Sequence, residues 1–79
     1  MSAPETLVDA RGHRCPTPTL RLRKALEGAQ PGARVRLLAD DPMARIDVPH
    51  FAAQAGHLLV RADTEGPWLE FVVEKAARA

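Results

Sequence analysis

Apolar residues along the chain fall into two kinds of pattern: short runs or alternations, and recurrences at a spacing of three to four. Thr6-Leu7-Val8-Asp9-Ala10 is a compact apolar run closed by Arg11-Gly12, which predicts a first strand. From residue 16 to about 29, Leu22, Ala25, Leu26 and Ala29 share one face of a helix that Gly28 and Pro31-Gly32 end. Arg34-Val35-Arg36-Leu37-Leu38-Ala39 alternates, with Val35, Leu37 and Ala39 on the buried side of a second strand. Asp40-Asp41-Pro42 is a helix-start signal with Pro42 as first helical residue. Proline biases the residue before it away from the helical region, so a break is expected at Val48-Pro49. Asp47 would then cap a second piece, residues 49–55, stopped by Gly56. Leu58-Leu59-Val60-Arg61-Ala62 and Trp68-Leu69-Glu70-Phe71-Val72-Val73-Glu74 predict two more strands. In the last, Leu69, Phe71 and Val73 face inward and Glu70 and Glu74 outward, with Trp68 covering the core edge.

The order β-α-β-α-β-β predicts an α/β two-layer sandwich, with two helices packed on one face of a mixed four-stranded sheet. At 79 residues the chain is expected to form one domain, residues 1–79, with an ordered core from about 6 to 75. That is near the size at which a single core is only just sufficient. No repeat or linker interrupts it.

Composition narrows the function. One cysteine excludes an internal disulfide, a Cys-x-x-Cys redox pair and a multi-cysteine zinc site, and it fits a reducing cytoplasm. Residues 1–5 show no basic start followed by an apolar core, and no run is long enough to span a bilayer, so a cytoplasmic protein without a membrane partner is expected. A formal net charge of +1 argues neither for nucleic acid nor for a membrane surface as an obligatory partner, and no direct nucleic-acid binding is expected.

The single cysteine stands at the entry to the first helix. With Pro16 as first helical residue, Cys15 is the N-cap, and the Thr17 amide points back towards its sulfur because Pro18 removes the next donor. In a second register Thr17 is the N-cap, Pro18 is the first helical residue and Cys15 lies in the entry loop. In both, the helix macrodipole and Arg11, Arg14 and Arg21 favour the thiolate, so the cysteine pKa is expected to fall below the value of about 8.5 of a free thiol. The bland alternative is a small buried core side chain, which requires neither flanking prolines nor arginines.

Around it, Asp9 is expected to order the turn by pairing with Arg11 or Arg14, and Gly12 to adopt a backbone conformation closed to other residues. His13 could supply a proton or positive charge to the sulfur, or be an exposed loop residue. His13, Cys15 and His57 match no zinc spacing, so no metal is expected, and His50 and His57 are read as surface and cap residues. No acid lies between Asp9 and Glu27. The basic stretch is either a docking surface for an acidic partner, carried by Arg11, Arg21 and Lys24, or a solvated helix face.

Asp9-x-x-Gly12-x-x-Cys15-Pro16-x-Pro18 resembles the signature of the TusA/SirA/YedF family of small sulfur-carrier proteins. Leu22-Arg23-Lys24-Ala25-Leu26, Pro31-Gly32, Ala39-Asp40-Asp41-Pro42, Asp47-Val48-Pro49 and Gly56-His57 follow in the family's order and spacing. His13 departs from it, since the family usually has an apolar residue there. The resemblance implies the same two-layer sandwich and a sulfurtransferase that carries a persulfide on Cys15, with no other cofactor. Pro16, Thr17, Pro18, Asp9, Gly12, Arg14 and His13 would support the thiolate or its loop. The implied partners are a cysteine desulfurase or rhodanese-like donor and a downstream acceptor protein, in a relay serving tRNA thiolation, cofactor synthesis or sulfur oxidation. The alternative is a non-catalytic regulatory or RNA- or protein-binding module on the basic helix surface. With one Trp, two Phe and no Tyr, support for base stacking is poor.

Overall fold

Val35, Leu37 and Ala39 are fully buried along the strand Arg34–Ala39, and the rest of the sheet is built on either side of it. In the computed structural model, which describes residues 5–76, the elements run β1 (Glu5–Asp9), α1 (Thr17–Glu27), β2 (Arg34–Ala39), α2 (Ala44–Ala55), β3 (Leu58–Asp63) and β4 (Leu69–Glu74). Expectations that fall on residues 1–4 and 77–79 lie outside the described residues. The sheet order is β1-β2-β4-β3. β1 pairs parallel with β2, so α1 serves as the crossover between them, while β4 pairs antiparallel with both β2 and β3. Register places Val35 opposite Val73 and Leu37 opposite Phe71. These residues meet Leu22 and Leu26 of α1 and Ala44, Val48 and Ala52 of α2 in one core. Both helices thus cover one face of a mixed four-stranded sheet, the expected α/β sandwich. The alternate positions of β2 point the other way, where Arg36 pairs with Glu5 at 2.8 Å and Glu70 at 2.9 Å, and Arg34 with Glu74 at 3.2 Å.

The expected break at Pro49 does not occur: α2 runs unbroken from Ala44 to Ala55. Ala44, Val48 and Ala52, four residues apart, form a stripe with at most 1% exposure. Keeping that stripe against the sheet outweighs the local bias that Pro49 imposes on Val48. Nor is Pro42 helical. It sits in a turn in which Asp41 Oδ1 accepts the Met43 N–H at 2.9 Å and the Asp41 carbonyl accepts the Ala44 N–H at 3.0 Å. Gly56 ends the helix as read, with φ +78°; its N–H bonds the Ala53 carbonyl and the His57 N–H bonds that of Ala52, a Schellman pattern.

Candidate functional site

Parallel neighbours end on the same side of a sheet, so the loop leaving β1 must lie beside the segment leaving β2. The first contains Gly12 to Cys15 and the second Asp40 and Asp41. Their contact fixes the cysteine loop. Gly12, at φ +87°, donates its N–H to both carboxylate oxygens of Asp40 at 3.0 Å. The Cys15 N–H donates to Oδ2 of Asp41 at 3.0 Å. The Asp41 carboxyl titrates below its ordinary range because the Met43 and Cys15 amides bond it, with Arg14 adding a favourable charge.

Asp9 orders the other side of the loop. Arg11 grips its carboxylate through Nε at 2.9 Å and Nη2 at 2.8 Å and adds its backbone N–H at 3.1 Å. Those bonds hold the Asp9 carboxyl down to about 2. The Arg11 guanidinium also lies over the Trp68 ring, 4.6 Å from its centre, in a cation–π contact. Arg21 donates to the Asp9 carbonyl at 2.8 Å. Lys24 is in the last turn of α1, about 10 Å along the axis from Thr17. The nearest acids to the sulfur come from other elements, so the surface beside Cys15 is of mixed sign. His13 and Arg14, with Gly12, Asp40, Asp41 and Pro42, line an open hollow of about 450 Å³ next to it.

Both helix-start registers are displaced by the structure. Pro16 is the N-cap, with φ −91° and ψ 8°; Thr17 is the first helical residue, and Pro18 the second and fully buried. No side chain caps α1, and the Thr17 N–H bonds the Arg14 carbonyl at 2.9 Å rather than the sulfur. Cys15 is half-buried, packed against the edge of the core.

The expected fall in the cysteine pKa is overturned. Burial pushes the Cys15 thiol up, and the Asp47 carboxylate, placed to accept from the thiol, pushes it further, with Asp41 acting in the same direction. The Thr19 hydroxyl works against them. Two of the three arginines meant to lower it are turned to Asp9. Asp47 therefore is no helix cap; it lies in the first turn of α2, where its carboxylate raises the cysteine pKa. Sequence reasoning missed this role of Asp47, and that of Thr19, because each depends on how α1 and α2 pack.

His50 is exposed. His57 is the cap residue expected, its N–H on the Ala52 carbonyl at the end of α2; its half-buried ring lies 6.1 Å from that of Phe51, and its Nδ1 accepts the Ala76 N–H at 2.9 Å. Among the described residues, no three of His, Cys, Asp and Glu stand close enough together to hold a metal ion. No helix among them is long and apolar enough to cross a membrane.

A single half-buried cysteine stands at the end of a two-layer α/β domain, in the loop that enters α1. The family model described as Sulfurtransferase TusA matches residues 6–75. The crystal structure of a SirA-like protein from Desulfitobacterium hafniense superposes with a TM-score of 0.77 at 26% sequence identity, covering 90% of this chain and 97% of that one. The chain belongs to the TusA sulfurtransferase family. Membership supports a sulfur-carrier role in general terms.

Proposed function

We propose that Cys15 carries sulfane sulfur as a persulfide between a donor of the cysteine desulfurase or rhodanese-like kind and an acceptor protein. The observation that carries this reading is the presentation of Cys15. Its amide is fixed by Asp41, its following residues start a helix, and it is half-buried, with the three residues before it lining an open hollow. A sulfur exchanged between two proteins needs that combination of fixed position and access from one side. In loading, the Cys15 thiol loses its proton to solvent, and the thiolate attacks the outer sulfur of a protein persulfide, R–S–SH. The new S–S bond forms as the old one breaks, and its electron pair leaves on R–S⁻, which takes up a proton. The net change is Cys15–SH + R–S–SH → Cys15–S–SH + R–SH, with no oxidant or reductant. Delivery repeats the exchange with an acceptor thiolate.

The test is incubation with a cysteine desulfurase and cysteine, read by intact mass. The wild-type chain gains the mass of one sulfur atom, and Cys15→Ser stays folded without gaining it. A folded Cys15→Ser chain that still takes up sulfur refutes the assignment.

A further inference from the structure

Two hollows meet at the start of α2. The first, lined by His13 and Arg14 of the cysteine loop, shares Asp40 and Pro42 with a second of about 280 Å³ that lies between the start of α2 and the turn from β3 to β4. Pro42, Pro67, Leu69 and Trp68 line the second, with Arg45 and Thr64 beside them. Trp68 keeps 39% exposure although the Arg11 guanidinium lies over its ring. A half-exposed tryptophan among prolines is a contact surface for an apolar side chain.

The charged groups along the two hollows differ in what they have left to offer. Asp40 takes the Gly12 N–H on both oxygens, and Asp41 takes the Cys15 and Met43 N–H groups, so each carboxylate oxygen already has a backbone donor. Arg11 is committed to Asp9. Arg14 and Arg45 form no ion pair with any described residue, and the side chain of Arg45 donates only to the Thr64 carbonyl, at 3.3 Å. A guanidinium has several N–H donors and no acceptor, so the unspent hydrogen-bonding capacity here is that of two cations.

We infer that the two hollows form one docking groove for an extended acidic segment of a partner protein, whose carboxylates pair with Arg14 and Arg45 while an apolar neighbour rests on Trp68. Such a segment runs beside the loop that carries Cys15. A nucleic acid fits the same path less well: it brings a phosphate at every step and sets charge against Asp40 and Asp41, whereas a peptide places its carboxylates at the arginines alone. The groove's part in sulfur transfer rests on the carrier reading, but its affinity for an acidic segment does not.

Trp68 is the only tryptophan, so its fluorescence reports on the second hollow. The test is titration of the full chain with an acetylated, amidated pentapeptide of alternating glutamate and leucine, and with its glutamine counterpart, with thermal melts confirming that each variant is folded. The glutamate peptide is expected to change the emission saturably and to bind about tenfold more tightly than the glutamine peptide, a gap that closes as salt rises. Arg14→Gln and Arg45→Gln are each expected to weaken it about threefold, and Lys24→Gln, in the last turn of α1, to leave it unchanged. Should an arginine variant fail to fold, the wild-type salt dependence decides, and an affinity for the glutamate peptide that salt does not lower overturns the inference. Equal binding of the two peptides, an unchanged emission, or full affinity in both arginine variants also overturns it, as does a uridine hexanucleotide that binds in the peptide's place more tightly than the peptide. Loading from a desulfurase separates the two claims. If the peptide binds as stated to a chain that gains no sulfur, the groove stands and the carrier reading falls; if the chain loads but ignores the peptide, the carrier stands and the groove falls.

Discussion

One carboxylate joins the cysteine to the second helix: Asp41 takes the Cys15 N–H on Oδ2 at 3.0 Å and the Met43 N–H on Oδ1 at 2.9 Å. The place of the sulfur is therefore set by the segment after β2 as much as by the helix it precedes. Asp41→Ala is expected to slow sulfur transfer from a protein donor by ten- to a hundredfold, roughly, because misplacement of a reacting atom by an ångström carries such a loss. Alkylation by a small reagent at high pH, where the thiol is fully ionised, stays at the wild-type rate. Equal transfer rates for variant and wild type would show that the anchor has no part in presenting the sulfur.

Pro49 lies inside a helix that the core stripe keeps continuous. Its missing N–H leaves the Arg45 carbonyl without its usual helical donor. Pro49→Ala restores that donor and is expected to stabilise the fold by about 1–2 kcal/mol, less than the full helix-interior difference because the alanine chain has more freedom when unfolded. Chemical denaturation measures it. A lower midpoint would mean that packing of the half-buried proline ring outweighs the lost bond.

These two residues mark where the sequence was legible and where it was not. β2 was read to the residue, and so was the inward set Leu69, Phe71, Val73, because alternation reports directly on a half-buried strand. Gly56 was legible as a helix stop for an equally local reason. Pro49 misled because its preference is local, while the Ala44, Val48 and Ala52 stripe that overrides it gains its energy only from a sheet already formed. The same limit applies to the site. The loop carrying Cys15 was found from its prolines and glycine, but the expectation of a positively charged setting counted neighbours along the chain. Across space, Arg11 and Arg21 go to Asp9, and Asp41 and Asp47 come in from the other side. One signal was available: strands joined by a helical crossover pair in parallel, which puts Asp40 and Asp41 beside the loop after β1.

His57 is held below its ordinary pKa, first by burial and then by Lys75. The folded chain therefore keeps His57 neutral where the unfolded chain would take up a proton. The stability this group contributes is complete above about pH 6.5, and it is lost as pH falls through the folded value. Melts between pH 7.5 and 5 are expected to show a decline that His57→Gln flattens. An identical decline in the variant would assign it to other groups. Asp9, held at about 2, acts in a separate window: its contribution is present above its unfolded value and fades as pH drops towards 2.

Charge at the sulfur should matter by position rather than by sum. Arg14→Glu, in the loop lining the open hollow, is expected to slow transfer from a protein donor several-fold at low salt, with the difference shrinking as salt rises. Lys24→Glu, in the last turn of α1, is expected to leave the rate within about twofold of wild type. The reverse order of effects would move docking onto the face of α1.

The central claim is that sulfur enters and leaves through Cys15, and a chase with radioactive sulfur tests it most directly. The chain is loaded from labelled cysteine and a desulfurase, freed of both, and split, one half digested and the other mixed with an acceptor protein. The account predicts that the label in the first half lies on the peptide containing Cys15 and is released by a reductant. In the second half, the label passes to the acceptor at the rate at which that peptide loses it. Label on any other peptide, or label that stays on Cys15 while the acceptor remains unlabelled, would contradict the account.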